Sequence, residues 1–179
     1  MPWVKNAADL PAFKPNKLKG MPFSQRMQYS FDLQFDNHKD YVPQGITAGF
    51  KASYQLIMKG YVGAGIGYKA SFNGNTYNGI KLNSFVDYKL QGMLFLTSGY
   101  DITSTPNAPA PSNEVTIVGQ TQHWFGFDGY ESALFGLKLR QGWIKKVNLE
   151  FSIQLDFLHD QQVPNTSFVV YRLGWGFVK

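Results

Sequence analysis

Apolar and polar residues alternate with a period of two in eight segments of this chain. The sharpest segment, VNLEFSIQLDF at residues 147–157, has an apolar side chain at every odd position and a polar one at every even position. Successive side chains of a β-strand point to opposite faces, so the pattern predicts strands with one apolar and one polar face. The other seven segments are residues 25–36, 45–56, 61–72, 80–88, 93–101, 132–140 and 168–178. We therefore predict an all-β fold.

Composition supports this fold and excludes several others. The chain has 179 residues, enough for one domain with a full core, and its 18 glycines, 15 phenylalanines and 10 tyrosines favour sheet over helix. It has no cysteine, which excludes disulfides and thiolate metal sites. No apolar run approaches the roughly 18 residues of a spanning helix. The formal charge of +5 comes from lysines spread along the chain, so we expect no nucleic-acid partner.

Three glycines, Gly63, Gly65 and Gly67, lie in the stretch YVGAGIGYKASF. A dinucleotide-binding turn would space its glycines as G-x-G-x-x-G between a strand and a helix. Here the spacing is strictly two and no helical pattern follows, so the glycines line one face of a strand. We expect them to make room in a narrow interior for long charged neighbours.

Two segments alternate less cleanly than the others. Ile80, Leu82, Val86 and Tyr88 form the apolar face of residues 80–88, and Ser84 with Phe85 breaks the pattern. In residues 93–101, the pattern places Leu94, Leu96 and Tyr100 on the apolar face.

The connections alternate between short and long. The short links are IMKG, KLQG and QGWIKK, and the long ones are NHKDYVP, NGNTYNG, residues 102–130 and HDQQVPNT. Short turns on one rim and longer loops on the other are typical of outer-membrane barrels. We predict an eight-stranded antiparallel up-and-down transmembrane β-barrel in residues 25–179, preceded by a periplasmic linker or N-terminal extension in residues 1–24. Strand eight must then pair with strand one.

The interior of an eight-stranded barrel is only wide enough for its own side chains. About forty large apolar side chains cannot fit there, so we expect the polar face to point inward. We predict a lumen ion-pair network of Arg26, Asp32, Lys51, Lys69, Lys81, Asp87, Lys138, Arg140, Glu150, Asp156 and Arg172, with Asp36 and Asp101 also facing inward. Within it, Arg172 is expected to meet Asp32 and either Asp156 or Glu150. Paired charges would close the lumen rather than line a pore.

Aromatic residues near the strand ends are candidates for the membrane interface. Trp124 and Phe125 lie in HWFGFDGY, residues 123–130, at the base of a long outer loop. Trp143 and Trp175 lie near the strand ends at the other rim of the barrel, where they suit the inner interface. Tryptophan and tyrosine are enriched at both interfaces of membrane barrels. The alternative for HWFGFDGY is a contact site for a sugar or a peptide.

Catalytic and metal sites find little support in the sequence. The best catalytic constellation is His159 beside Asp160, with Ser167 across the same loop, and it has no diagnostic spacing. Two histidines with Asp40 or Asp160 lack the pairing typical of a metal site. We predict no catalytic residue, no metal and no cofactor, and expect the protein not to be an enzyme.

The segments SFVDYKLQGMLFLTSGYD, YESALFGLKLR, VNLEFSIQLDFLHD and VVYRLGWGFV resemble the eight-stranded outer-membrane β-barrel domains of Bacteroidota. The resemblance covers about residues 13–178. It implies a barrel of the kind that closes a longer surface protein, and it implies no particular activity.

The function expected from these observations is a non-enzymatic membrane anchor or structural module, alone or within a larger cell-surface or secretion assembly. Its partners would be outer-membrane lipid and other subunits of such an assembly. The loops would face outward and the N-terminus the periplasm. Two alternatives stay open: a soluble lipocalin-like barrel that binds a small apolar ligand, and an outer-membrane lipid-acyl hydrolase.

Overall fold

The computed structural model describes residues 17–38, 42–72, 78–104, 129–144, 147–158 and 168–177. A 3-10 helix at Lys17–Gly20 and one helical turn, α1, at Phe23–Arg26 precede the first strand. The strands are β1 (Met27–His38), β2 (Val42–Ile57), β3 (Gly60–Ser71), β4 (Gly79–Gln91), β5 (Leu94–Ser104), β6 (Gly129–Ile144), β7 (Val147–Asp156) and β8 (Val169–Phe177). The eight predicted strands are confirmed. Within the described ranges, no helix has the length and hydropathy of a membrane-spanning helix.

The sheet closes on itself. Each strand pairs antiparallel with the next along the chain, and β8 pairs antiparallel with β1, where Trp175 lies opposite Phe31. Closure gives every strand two hydrogen-bonded neighbours, which removes the open edge of an ordinary sheet. The predicted closure and the predicted antiparallel barrel are both confirmed.

The stagger of the strands sets the dimensions of the barrel. A path through paired residues from Gln141 on β6, around all eight strands, returns to β6 at Glu131, ten residues from its start. This offset of ten residues is the shear of the barrel. With about 3.3 Å per residue and about 4.8 Å between strands, it corresponds to a strand tilt of about 40° and a backbone radius of about 8 Å. Ten residues of such a strand rise about 25 Å, which is the height of the apolar band of a membrane barrel.

The two ends of the barrel differ. At the end that we call the tight-turn end, Met58–Lys59, Gly92–Met93 and residues 145–146 join neighbouring strands. Gly92 has φ +53°, a conformation that glycine adopts without strain in such a tight turn. At the other end, the loop end, residues 39–41, 72–78, 105–128 and 157–168 make the connections.

Three details differ from the sequence prediction. The first strand begins at Met27 and not at Gln25, because α1 occupies the preceding residues. The first loop-end connection is short, because β1 continues to His38 and β2 starts at Val42. Alternation in β4 is unbroken: Ser84 is exposed and Phe85 is buried, so the phenylalanine occupies an ordinary inward position.

Candidate functional site

Burial in this barrel is inverted relative to a water-soluble protein. Among the described residues, 29 large hydrophobic side chains are exposed and only 6 hydrophobic residues are buried, whereas 18 polar or charged residues are buried. The exposed set forms an apolar outer wall that includes Phe31, Phe50, Val62, Ile66, Leu82, Val86, Leu137, Leu139, Phe151, Ile153 and Leu155. The polar face predicted to point inward therefore does point inward.

One group of buried charges lies in the lumen near the tight-turn end. Lys138 Nζ contacts Asp87 Oδ2 at 2.6 Å, and Arg140 Nε contacts Glu150 Oε1 at 2.6 Å. Longer contacts join Arg140 to Asp87 at 3.4 Å and Lys138 to Glu150 at 3.7 Å. Arg140 also donates to the side-chain amide oxygen of Gln28 at 3.2 Å. We call Asp87, Lys138, Arg140 and Glu150 the tight-turn cluster.

A second group lies nearer the loop end. Asp101 Oδ2 accepts from Lys81 Nζ at 2.8 Å and from Arg172 Nη2 at 2.6 Å. Lys81 also donates to the Gln34 side chain at 2.8 Å. Asp101 is 1% exposed, so two cations and no bulk water compensate its charge. We call Lys81, Asp101 and Arg172 the loop-end cluster.

A third ion pair lies between the clusters. Lys51 Nζ on β2 contacts Asp32 Oδ2 on β1 at 2.7 Å, with both side chains about one-tenth exposed. Nearby, Gln154 on β7 donates to Thr97 Oγ1 on β5 at 3.4 Å. Both contacts lie in the lumen at mid-height. The ion pair joins the neighbouring strands β1 and β2, and the Gln154 hydrogen bond joins β5 and β7, which are not neighbours in the sheet.

Two charged residues predicted for the network have other arrangements. The Lys69 ammonium donates to the Tyr130 hydroxyl, and its Nζ also lies 4.9 Å from the centre of the Tyr130 ring. Asp156 accepts a hydrogen bond of 3.0 Å from the backbone N–H of Leu158 at the end of its own strand. Both side chains are buried, as expected of inward positions. The side chain of Asp36 lies outside the described part of the structure.

Arg26 lies outside the lumen, contrary to the sequence prediction. It ends α1, and its guanidinium donates to the carbonyl oxygens of Gln55 at 2.7 Å and 3.0 Å and of Leu56 at 3.1 Å. Its Cζ also lies 4.4 Å from the centre of the outward-facing Tyr54 ring, on which Phe23 stacks at 5.2 Å. A residue in a helical turn does not follow strand alternation, so the period-two argument fails at this position.

The predicted partners of Arg172 are also wrong. Asp32 lies opposite Gly174 and Ser152 lies opposite Arg172 in the paired strands. The long arginine side chain crosses the lumen and donates its hydrogen bond to Asp101 on β5. Sequence register identifies lateral neighbours, and it gives no information on contacts across a narrow interior.

Glycines on the inner face leave the space that large inward side chains occupy. A Cβ at Gly65 would lie 2.6 Å from the Lys51 side chain, and one at Gly63 would overlap the Phe85 ring. The expectation that these glycines accommodate long charged neighbours therefore fits Gly65, while Gly63 accommodates an aromatic ring.

Four buried apolar side chains share the lumen with the charges, although apolar residues were predicted to face outward. Phe85, Phe95, Leu134 and Val170 lie at inward positions of β4, β5, β6 and β8. Each of them lies an even number of residues from an inward-facing charged residue of the same strand, and this spacing could have predicted their position. Phe85 and Phe95 face the tight-turn cluster: Lys138 Nζ lies 5.0 Å from the Phe85 ring centre, and Arg140 Cζ 4.8 Å from that of Phe95.

The predicted interface aromatics are only partly within the described structure. Trp175 lies on the outer face of β8, where it stacks on Phe31 at 6.2 Å. Trp143 belongs to β6, and its side chain lies outside the described part, as do Trp124 and Phe125 entirely. Tyr29, Tyr54 and Tyr88 are outward-facing residues close to the tight-turn end that the prediction omitted.

The catalytic and metal alternatives rest on residues that the structure leaves mostly undescribed. His159, Asp160 and Ser167 lie outside the described ranges, as do His123 and Asp40, and so does the side chain of His38. In the described residues, no group of three His, Cys, Asp or Glu side chains could hold a metal ion.

No protein-family model and no curated protein sequence matches this chain. Among solved structures, it is similar to the N-terminal β-barrel domain of Pseudomonas aeruginosa OprF, with 12% identity, a TM-score of 0.58, and coverage of 84% of this chain and 95% of that chain. A de novo designed transmembrane β-barrel matches with 10% identity, a TM-score of 0.47 and coverage of 86% and 94%. The designed TMB2.3 matches with 17% identity, a TM-score of 0.45 and the same coverage. The OprF likeness establishes the fold class, a closed eight-stranded antiparallel barrel.

Proposed function

We propose that this protein is a transmembrane barrel of a bacterial outer membrane, with a structural, non-enzymatic role as an anchor. The observation that carries the proposal is the inverted burial: hydrophobic side chains cover the outer wall while charges fill the lumen. Water-soluble monomers rarely expose contiguous apolar patches beyond a few hundred Å². A lipid bilayer is the solvent that such a wall fits, and closure satisfies the backbone groups that lipid cannot.

The content of the lumen favours a closed barrel over a pore. Both signs of charge are present and paired, in the tight-turn cluster, the loop-end cluster and the pair of Asp32 with Lys51. An ion-selective pore would be lined by one dominant sign and filled by water. The side chains that cross this lumen instead stabilise the wall from inside.

The polar interior also argues against the soluble lipocalin-like alternative. A barrel that binds an apolar ligand needs an apolar cavity, whereas the buried set here is mostly polar. The hydrolase alternative has no geometric support, because its candidate residues lie outside the described ranges.

The orientation that we propose places the tight-turn end in the periplasm and the loop end outside the cell, the common layout of bacterial barrels. Placement as the closing domain of a longer surface or secretion protein of Bacteroidota rests on the sequence resemblance alone, and forms part of the same proposal.

Reconstitution tests the membrane assignment. The purified chain should float with phosphatidylcholine vesicles after refolding and should need detergent to stay monodisperse without them. A monodisperse protein in detergent-free buffer would contradict the proposal and support the lipocalin-like alternative.

Thiol labelling of intact cells tests the orientation. The chain has no cysteine, so single variants report one position each and the parent chain provides the background. Ser112→Cys, in the long loop-end connection, should react with an impermeant maleimide on intact cells. Lys59→Cys, in a tight turn, should react only after the outer membrane is permeabilised. The reverse pattern would contradict the proposed orientation.

A further inference from the structure

An internal cavity lies in the lumen between the two charged clusters. The space open to the centre of a water molecule is about 20 Å³, which suits about one water. Its lining includes Asp32, Gln154 and Arg172, contributed by β1, β7 and β8. These three neighbouring strands therefore bring one carboxylate, one amide and one guanidinium to the same cavity.

Each of the three side chains is held by one polar atom and has another that finds no hydrogen-bond partner within the described part of the chain. Arg172 uses Nη2 on Asp101, Asp32 uses Oδ2 on Lys51, and Gln154 uses Nε2 on Thr97. The buried atoms left over are Arg172 Nε, Asp32 Oδ1 and Gln154 Oε1. They comprise one donor and two acceptors.

We infer that this cavity is a specific binding site for one ordered water molecule. A water can accept from Arg172 Nε–H and donate its two protons to Asp32 Oδ1 and Gln154 Oε1, which uses all three atoms. Bound water of this kind is part of the structure of many proteins. The water would bridge Asp32 to Arg172 and so connect the middle ion pair to the loop-end cluster.

The same lining disfavours simple ions. A metal cation would lie among Arg172, Lys51 and Lys138, which all line the cavity. A halide would be attracted by these three cations, but it would also meet the carboxylates of Asp32 and Glu150 and the amide oxygen Oε1 of Gln154, none of which can donate a hydrogen bond to it. A neutral molecule with two donors and one acceptor function, of the size of water, fits both the charges and the volume.

The test combines crystallography with nuclear magnetic resonance on the intact chain. A crystal structure at atomic resolution should show an electron-density peak for a water oxygen within hydrogen-bond distance of Arg172 Nε and Asp32 Oδ1. In ¹⁵N-labelled protein in micelles, the Arg172 Nε–H should show a cross-peak to water. The chain has only three arginines, so Arg26→Lys and Arg140→Lys variants assign the signal.

Gln154→Leu removes one acceptor at similar volume and should reduce the Arg172 Nε–H to water cross-peak at least twofold. Gln28→Leu is the matched control, because Gln28 bonds Arg140 and does not line the cavity. It should leave the cross-peak unchanged. If Gln154→Leu does not fold, the crystal structure and the water cross-peak of the parent chain still show whether a water occupies the cavity.

Three results would overturn the inference. One is a direct Arg172 Nε to Asp32 or Gln154 contact in the crystal with no density between them. Another is an anomalous halide peak in the cavity after a bromide soak. The third is equal loss of the water cross-peak in the Gln28 and Gln154 variants.

Discussion

Arg172 on β8 donates a hydrogen bond of 2.6 Å to Asp101 on β5, across the lumen and with β6 and β7 between the two strands on the wall. Asp101 receives its other cation, Lys81, from the adjacent β4. Three strands are thus joined through one carboxylate that bulk water does not reach.

Removal of Arg172 should be far more costly than removal of its neighbour in sequence. Arg172→Leu leaves Asp101 short of a cation in the interior, and breaking a buried pair costs about 3–5 kcal/mol. Tyr171 lies on the outer face, where Tyr171→Leu keeps an apolar contact with lipid, so its cost should be about 0.5 kcal/mol. Urea unfolding in vesicles measures both. Equal effects of the two substitutions would refute the inward role of Arg172.

The outer wall should resist charge at mid-height and tolerate it at the rim. Ile153 lies in the middle of β7 and is exposed, so Ile153→Arg should destabilise the inserted barrel by about 2–4 kcal/mol. Phe168 is also exposed, next to the loop-end start of β8, and Phe168→Arg should cost about 0–1 kcal/mol. The free energy of unfolding in liposomes distinguishes these values, and similar costs at both sites would contradict a bilayer around the wall.

The lumen should not conduct. Paired charges and cross-lumen side chains occupy the interior of the described barrel, so the purified protein in planar bilayers should give no steady single-channel steps at low or high salt. Buffer containing the same detergent serves as the control. Reproducible steps of one conductance would overturn the closed-lumen proposal.

Two inner-face glycines should respond differently to a methyl group. A Cβ at Gly136 would overlap the Ile153 carbonyl oxygen and lie 2.6 Å from Gln154 Cα, so β6 and β7 would have to separate. We expect Gly136→Ala to cost about 1–3 kcal/mol. At Gly174 the nearest atom to an added Cβ is 3.4 Å away, and Gly174→Ala should stay within about 0.5 kcal/mol. A harmless Gly136→Ala would contradict the described β6–β7 approach.

The alternating connection lengths predict the pairing of the strands, and the narrow interior of an eight-stranded barrel predicts which face points inward. Period-two alternation predicts the number of strands and their two faces, because successive side chains of a strand point to opposite sides. It failed at Arg26, where one helical turn replaces the strand. It also predicted a break at Ser84 and Phe85, because a rule that turns every polar residue inward fails where a serine faces outward. The structure places the serine on the outer wall and the phenylalanine in the lumen.

Contacts across the lumen were beyond the sequence for a different reason. The alternation predicts which charges point inward, and the shear of the barrel decides which of them meet. That shear depends on the register of all eight strands together, so Asp101 could not be selected over Asp32 as the partner of Arg172. The unpartnered atoms around the cavity depend on the same register.

The ion pairs across the lumen can form only if the barrel closes with the right number of strands. Lys138 reaches from β6 to Asp87 on β4, and Arg172 from β8 to Asp101 on β5. A sheet that closed with seven or nine strands, or one strand shifted by a single residue, would turn charges toward lipid or separate them from their counter-ions. A changed strand number alone would leave the apolar outer wall in contact with lipid, since lipid contacts are nonspecific. The inner charges would lose their counter-ions, and so they discriminate against such closures.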